Sequence, residues 1–309
     1  MRLVFAGTPE PAAVALQRLI DSDHDVVAVL TRPDARKGRG RTLHPSPVKA
    51  LAQEHGIEVL TPESLKRDDG LRSHLTDLAP DAIPVVAYGN LIPADMLDIP
   101  THGWVNLHFS LLPQWRGAAP VQAAIRNGDT TTGATTFRID EGLDTGEVLG
   151  TITDDIAPTD TADDVLTRLA YAGADLLVHT MDGLEAGTLQ PAAQPAEGTY
   201  APKISTADAR VNWVDPAAVI DRTVRAYTPG PGAWTMLDGQ RYKIGPVTPT
   251  DTANLAPGQA AFAKNAVLVG TGEGDVQLGS IQAPGKKMMA AADWARGLSE
   301  DVRKDVVFE

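Results

Sequence analysis

Apolar positions in the first half of the chain follow two alternating periods. Short runs rich in Val, Leu and Ile, Arg2 to Gly7 and Asp25 to Thr31, flank a stretch, Pro11 to Ser22, whose apolar residues recur at helical spacing. That succession predicts strand, helix and parallel strand, because a parallel strand is buried on both faces whereas a helix shows one apolar stripe. Ser46-Pro47 supplies an N-cap and a proline at the first helical position, and Gly56 suits the end of that helix, so a short helix is predicted before a strand at Ile57 to Leu60. Further strands are predicted at Ala82 to Ala87, Trp104 to Phe109, Gly133 to Ile139 and Glu147 to Ile156, with a helix near Ala119 to Arg126. Thr161 and Asp164 stand at capping-box spacing. Val165, Leu169, Leu176, Leu177, Met181 and Leu184 follow at roughly helical intervals, which predicts a long closing helix.

Then the pattern changes. Residues 189 to 202 hold three prolines and little periodicity, and read as a linker. Beyond them, one helix headed by Asp215-Pro216 precedes strand patterns at Ala233 to Leu237, Tyr242 to Val247, Ala260 to Ala263, Val267 to Gly270 and Val276 to Ile281. Turn residues such as Asp238-Gly239 and Lys264-Asn265 separate them, which suggests a small antiparallel barrel or sandwich. The expected organisation is an α/β domain over 1–188 with a mostly parallel sheet, a linker over 189–202 and a smaller β domain over 203–309.

Composition narrows the function classes. With 309 residues, 43% hydrophobic and 22% charged, the chain is neither disordered nor fibrous. The absence of cysteine excludes disulfides, a thiolate nucleophile and Cys-based zinc. No apolar run approaches the roughly 20 residues of a membrane span, and the start, MRLVFAGTPEP, lacks the apolar region of a signal peptide. A cytoplasmic protein without membrane contact is therefore expected. The net charge of −13 speaks against a polyanionic partner, but its distribution changes that picture. Residues 1–202 carry 15 basic and 28 acidic residues while 203–309 carry 12 of each, so the acidity is confined to the first part. Within it, the loop Arg32 to Arg41 holds five Arg or Lys against one Asp; a solvated loop accounts for its polarity but not its sign, and with glycines that let it move the alternative is a phosphate or RNA contact.

Two stretches suggest chemistry. In a strand, Asn106 and His108 point to one face, which sets an amide donor beside an imidazole. That pairing suits acyl transfer, where an oxygen gains charge while an amine loses a proton; a strand end with two satisfied polar side chains has the same spacing. The Gly-bounded segment Asp140 to Glu147 offers Asp144, either as a cap of its own turn or as a carboxylate that orients a histidine. Dinucleotide and P-loop fingerprints, H-E-x-x-H and G-x-S-x-G are all missing, so a nicotinamide cofactor, a metal and an α/β-hydrolase nucleophile are not expected.

Taken together, Val4 to Glu10, Leu43 to Lys49, Val85 to Gly89, Asn106 to Pro113 running on through Trp115 to Pro120, Gly142 to Gly146 and Tyr200 to Ile204 resemble the methionyl-tRNA formyltransferase family along essentially the whole chain. The resemblance implies a Rossmann-like formyltransferase domain followed by an OB-like β-barrel domain that binds tRNA. It implies transfer of a formyl group from 10-formyltetrahydrofolate to the α-amino group of initiator methionyl-tRNA, for translation initiation, by a monomer. The catalytic set falls on Asn106, His108 and Asp144. Folate contacts fall on Ser110, Leu111, Leu112 and Pro113, with Val86, Ala87, Tyr88 and Gly89 along the pterin pocket. The tRNA contacts fall on Arg36, Lys37, Arg39, Arg41 and Lys203. Phe109 stands where a small residue is expected, and Asn90 where an aliphatic one is common. Two competing readings keep parts of this: a folate-dependent formyltransferase for a nucleotide-linked amine, and a non-catalytic folate or tRNA binder.

Overall fold

The computed structural model describes residues 1–37, 42–66 and 68–309. They group into two compact units. The first comprises 1–120, 131–155 and 166–201; the second comprises 121–130, 156–165 and 202–309.

The first unit is built on a seven-stranded sheet: β1 (Arg2–Gly7), β2 (Asp25–Leu30), β3 (Glu58–Leu60), β4 (Ile83–Val86), β5 (Trp104–His108), β6 (Thr131–Arg138) and β7 (Val148–Asp155). Their order across the sheet is β7-β6-β5-β4-β1-β2-β3. The five strands from β5 to β3 run parallel, and β6 and β7 continue the edge antiparallel. Continuous apolar runs explain the parallel part: Leu3 to Ala6 and Ala28 to Leu30 are buried, as strands covered on both faces must be.

Helix α1 (Glu10–Ile20) buries Ala12, Ala15, Leu16 and Leu19, one helical face. Helix α2 (Pro47–Glu54) starts as the sequence predicts, with Ser46 Oγ accepting from the Lys49 amide at 3.0 Å. The same hydroxyl lies 2.7 Å from the buried Thr31 hydroxyl. Ser46→Ala removes both contacts, and urea unfolding is expected to show a loss of about 1–2 kcal/mol.

Helix α3 (Asp69–Leu78) is an addition to the predicted elements. Helices α4 (Pro120–Asn127) and α5 (Ala162–Ala186) match expectation. The capping box of α5 is reciprocal: the Asp164 amide donates to Thr161 Oγ1 at 3.3 Å, and the Thr161 amide donates to Asp164 Oδ2 at 2.9 Å. No helix among the described residues is long and apolar enough to cross a membrane.

Residues 189–201, linker-like in composition, are tied into the first unit. Val148 and Ala192 exchange backbone hydrogen bonds, and Tyr200-Ala201 pairs in parallel with Arg116-Gly117.

The second unit carries α6 (Ala217–Ala226) and two four-stranded antiparallel sheets. Two of the predicted strands prove to be pairs. The run at 242–247 breaks at Gly245-Pro246, and the run at 276–281 breaks at Gly279, so each passes from one sheet to the other. At that corner the Gly279 amide donates to the Pro246 carbonyl, and a Cβ on Gly279 would lie 2.5 Å from the same oxygen. Arg225 at the end of α6 donates to the Asp160 carbonyl and pairs with Asp221, and Arg126 donates to the Tyr227 hydroxyl. These contacts fasten residues 121–130 and 156–165 to the β domain, so the unit is larger than the stretch from 203 onward.

Candidate active site

Strands β1, β2 and β3 extend the sheet one way from β1, and β4 and β5 the other. Such a reversal leaves a crevice beyond the carboxyl ends of the strands. Beside that reversal, at the carboxyl ends of β4 and β5, opens a cavity of about 760 Å³, large enough for a cofactor-sized molecule. Its walls come from the loops Ala87 to Leu97 after β4, Phe109, Gly117, Ala118 and Pro120 after β5, and Ile139 to Asp144 after β6, with Lys66 from the segment after β3.

Asn106, His108 and Asp144 all border this one cavity. Asn106 pairs with Val85 on one side and Phe137 on the other, and His108 pairs with Thr135, so register holds both on the β5 edge of the cavity. Among the described residues nothing hydrogen-bonds the Asn106 side-chain amide. A donor at the cavity wall without a protein partner is available to a ligand oxygen.

The imidazole is differently placed. His108 is 6% exposed, with the Phe137 ring edge-on at 6.4 Å. Its Nε2 donates to the Trp115 carbonyl at 2.9 Å, which leaves the lone pair of the neutral ring on Nδ1. Nδ1 lies 3.9 Å from Asp144 Oδ2. Burial lowers the His108 pKa below the ordinary histidine value, against upward pulls from the Asp144 carboxylate and the Trp115 carbonyl.

Three non-glycine residues around this site hold left-handed backbone: Ala87 (φ 45°), Trp115 (φ 58°) and Asp144 (φ 54°). Each such residue costs on the order of 1 kcal/mol or more and persists where surrounding contacts overdetermine it. Trp115 thereby aims its carbonyl at His108. Asp144 Oδ2 accepts from the Gly117 amide at 2.7 Å. Gly117 is itself required: its φ is 113°, and a Cβ would stand 2.6 Å from the Ala201 carbonyl oxygen.

Of the expected folate contacts, Ala87, Tyr88 and Gly89 line the cavity, and Val86 is buried in β4 beside it. Ser110, Leu111, Leu112 and Pro113 are not on its wall. They form a turn braced on β6: Thr135 Oγ1 donates to the Ser110 carbonyl and accepts from the Leu112 amide, and Ser110 Oγ donates to the Gln114 carbonyl. This turn delivers Trp115 to His108. Phe109 lies on the wall, nearly buried. Asn90 Oδ1 accepts from Arg32, which also donates to the Gly89 carbonyl, so the root of the basic loop grips the loop after β4. Burial pushes the Tyr88 hydroxyl above the ordinary tyrosine value. Sequence reasoning missed Leu91, Ile92, Leu97, Ile139 and Leu143, which supply the apolar wall. Their signal was only that they flank motif residues.

Arg36 stands exposed in a hairpin formed by Ala35–Lys37 and Thr42–His44, and Lys203 is exposed. Arg39 and Arg41 lie outside the described residues, as does the side chain of Lys37.

Comparison with known proteins identifies the family. Residues 1–181 match the formyl transferase family model, and residues 203–299 match the model of the formyl transferase C-terminal domain. A methionyl-tRNA formyltransferase of Corynebacterium glutamicum is 68% identical over 309 residues, covering 97% of this chain and 98% of that protein. One from Streptomyces coelicolor is 59% identical over 300 residues, covering 96% of each. Among solved structures, the sugar 3N-formyl transferase WlaRD, determined in the presence of dTDP and 5-N-formyl-THF, superposes with a TM-score of 0.68 at 17% identity over 93% of this chain and 99% of that one. At that identity the likeness is one of fold.

Proposed function

The chain belongs to the methionyl-tRNA formyltransferase family, and from that premise we propose how its residues carry a formyl group from 10-formyltetrahydrofolate to the α-amino group of initiator methionyl-tRNA. The observation that carries the reading is the convergence of an idle amide, a buried neutral imidazole and a carboxylate on one cavity edge.

The donor occupies the 760 Å³ cavity, its ring system against the loop after β4, whose Leu91, Ile92 and Leu97 form an apolar wall together with Ile139. Val86 is buried in β4 beside that pocket, and the braced turn Ser110 to Pro113 carries Trp115 to His108. Asn106 donates to the formyl oxygen as the amine nitrogen bonds to the formyl carbon and charge moves onto that oxygen. His108, kept neutral by burial, accepts the proton lost by the amine at Nδ1. The imidazolium so formed lies 3.9 Å from the Asp144 carboxylate, which stabilises it. When the bond from the formyl carbon to the folate nitrogen breaks, that proton passes to the leaving nitrogen. Bonds and protons balance without metal or redox chemistry.

In this reading Arg36, Lys37, Arg39 and Arg41 meet the acceptor end of the tRNA, and Lys203 meets it at the start of the β domain, whose stretch 203–309 is charge-neutral. Affinity then falls as salt rises, since each phosphate contact releases counterions. The corresponding setting is a cytoplasmic monomer.

Formylation by the purified protein tests the reading, with 10-formyltetrahydrofolate as donor and charged initiator Met-tRNA, charged elongator Met-tRNA or a nucleotide-linked amine as acceptor. Formyl-methionine on the initiator alone is the expected product. Transfer only to the nucleotide-linked amine would overturn the acceptor, and no transfer with intact folate binding would leave a binder.

A further inference from the structure

The catalytic reading leaves one cluster unused. Arg116 follows the turn that delivers Trp115 to His108, and it is only 2% exposed. Among the described residues no carboxylate pairs with this buried cation. Its guanidinium donates to three neutral oxygens instead: Gln194 Oε1 (3.2 Å from Nε, 2.9 Å from Nη2), the Pro195 carbonyl (3.0 Å) and the Ala196 carbonyl (3.4 Å). Burying a guanidinium without a counter-ion is costly unless its donors are satisfied. The satisfied geometry fixes residues 194–196.

Gln194 uses its other end on the loop after β6. Its Nε2 donates to the Asp144 carbonyl at 2.9 Å and the Gly146 carbonyl at 2.8 Å. Both donor protons of one amide are thus spent on carbonyls that bracket the left-handed turn at Asp144. From the far side the Gly117 amide holds Asp144 Oδ2, and Gly117 adjoins Arg116 in sequence. The Asp144 backbone and carboxylate are therefore clamped by two arms that meet at Arg116.

We infer that Gln194, anchored by Arg116, is a positioning residue that holds Asp144 in the conformation in which its carboxylate faces His108 Nδ1. The inference rests on the proposed role of Asp144 and extends it to the Pro-rich segment 189–201, whose composition alone marks it as a connector. Around His108, the titratable group that acts on the ring is Asp144; β6 offers the Phe137 edge, and the turn after β5 offers the Trp115 carbonyl. Release of the Asp144 turn removes the one charge that favours the imidazolium.

Two variants separate the clamp from general stability. Gln194→Ala removes both arms of the side chain. Gln194→Glu keeps an acceptor for Arg116, now a charged one, but sets a second acceptor against the Asp144 and Gly146 carbonyls. For both, kcat for formyl transfer is expected to fall about 10- to 100-fold, as for small misplacements of catalytic groups, with KM for 10-formyltetrahydrofolate unchanged. Gln194→Glu is expected to keep the thermal midpoint. In Gln194→Ala, which adds no charge, the acid limb set by His108 and the His108 titration followed by nitrogen-15 NMR move to lower pH.

Wild-type kcat in folded Gln194→Glu would overturn the inference. So would a loss in Gln194→Ala explained wholly by the folded fraction, with kcat per folate-binding site and the His108 titration unmoved. Asp144→Asn, measured alongside, separates the two levels: normal transfer by that variant sinks the catalytic reading itself, whereas slow transfer by Asp144→Asn with normal Gln194 variants sinks only the clamp.

Discussion

Asn106→Ala is expected to lower kcat for formyl transfer by about 10² to 10³ while leaving folate affinity nearly unchanged. The asymmetry follows from where charge develops. In the bound donor the formyl oxygen is a carbonyl that water or a neighbouring amide solvates almost as well. In the transition state it approaches an oxyanion, and a fixed donor then gains most. Asn106 is fixed: its backbone sits in the centre of a ladder, paired to Val85 and Phe137. Among the described residues its amide has no competing hydrogen-bond partner to leave. Burst and steady-state kinetics with charged initiator tRNA, beside tetrahydrofolate titration, check the split. A rise in folate Kd with kcat untouched would show that Asn106 binds the donor rather than stabilising the transition state. Asn106→Asp is expected to be at least as slow, since a carboxylate offers no donor to the forming oxyanion.

Period-two spacing made this residue legible. Asn106 and His108 share a face of any strand that contains them, and a strand feeding a loop at the carboxyl edge of a parallel sheet is where sites collect. From its local sequence Asp144 is a carboxylate in a glycine-bounded turn, either capping that turn or orienting a histidine, and only the family resemblance places it in the catalytic set. Its approach to His108 depends on a left-handed φ and on an amide from Gly117, neither of which local sequence states. Gln194 was hidden more deeply. Prolines and alanines around it read as a connector, and its partners, Arg116, Asp144 and Gly146, lie about 50 to 80 positions away in the chain.

The fold shows the same division. Strands buried on both faces announce themselves as apolar runs, and the Ser46-Pro47 and Thr161 to Asp164 helix starts carry their own capping chemistry. Helix α3 did not stand out, because Leu71, Leu75 and Leu78 are its only large apolar residues and it opens on Asp68-Asp69-Gly70. In the β domain, 242–247 and 276–281 look like single strands because apolar alternation ignores direction. The corners at Gly245-Pro246 and Gly279 are set by contacts between the two runs.

The His108 limb of the turnover profile is expected to lie below about pH 6.5, the ordinary histidine value, and so below the limb set by protonation of the acceptor's own α-amino group, ordinarily about 7.7 to 8.0. The sign comes from the burial of His108. A base whose pKa is depressed remains neutral, and so able to accept the amine proton, until pH passes below the depressed value. In that range the imidazole is charged before substrate arrives, and the Nδ1 lone pair is gone. His108→Gln keeps a side chain of similar reach without a base; it is expected to lower kcat by about 10² to 10⁴ and to abolish the His108 limb while the limb of the acceptor amine remains. Asp144→Asn does something different. It removes the upward pull on His108, so the limb moves further to acid, yet it lowers the plateau because the imidazolium formed during transfer loses its counter-charge at 3.9 Å. A limb that moved to higher pH in Asp144→Asn would mean that Asp144 does not favour the charged ring. A limb below that of the amine that persisted in His108→Gln would assign it to another group. Opposite directions for the plateau and the limb are hard to obtain from unfolding, which lowers the plateau without moving the limb in the molecules that stay folded.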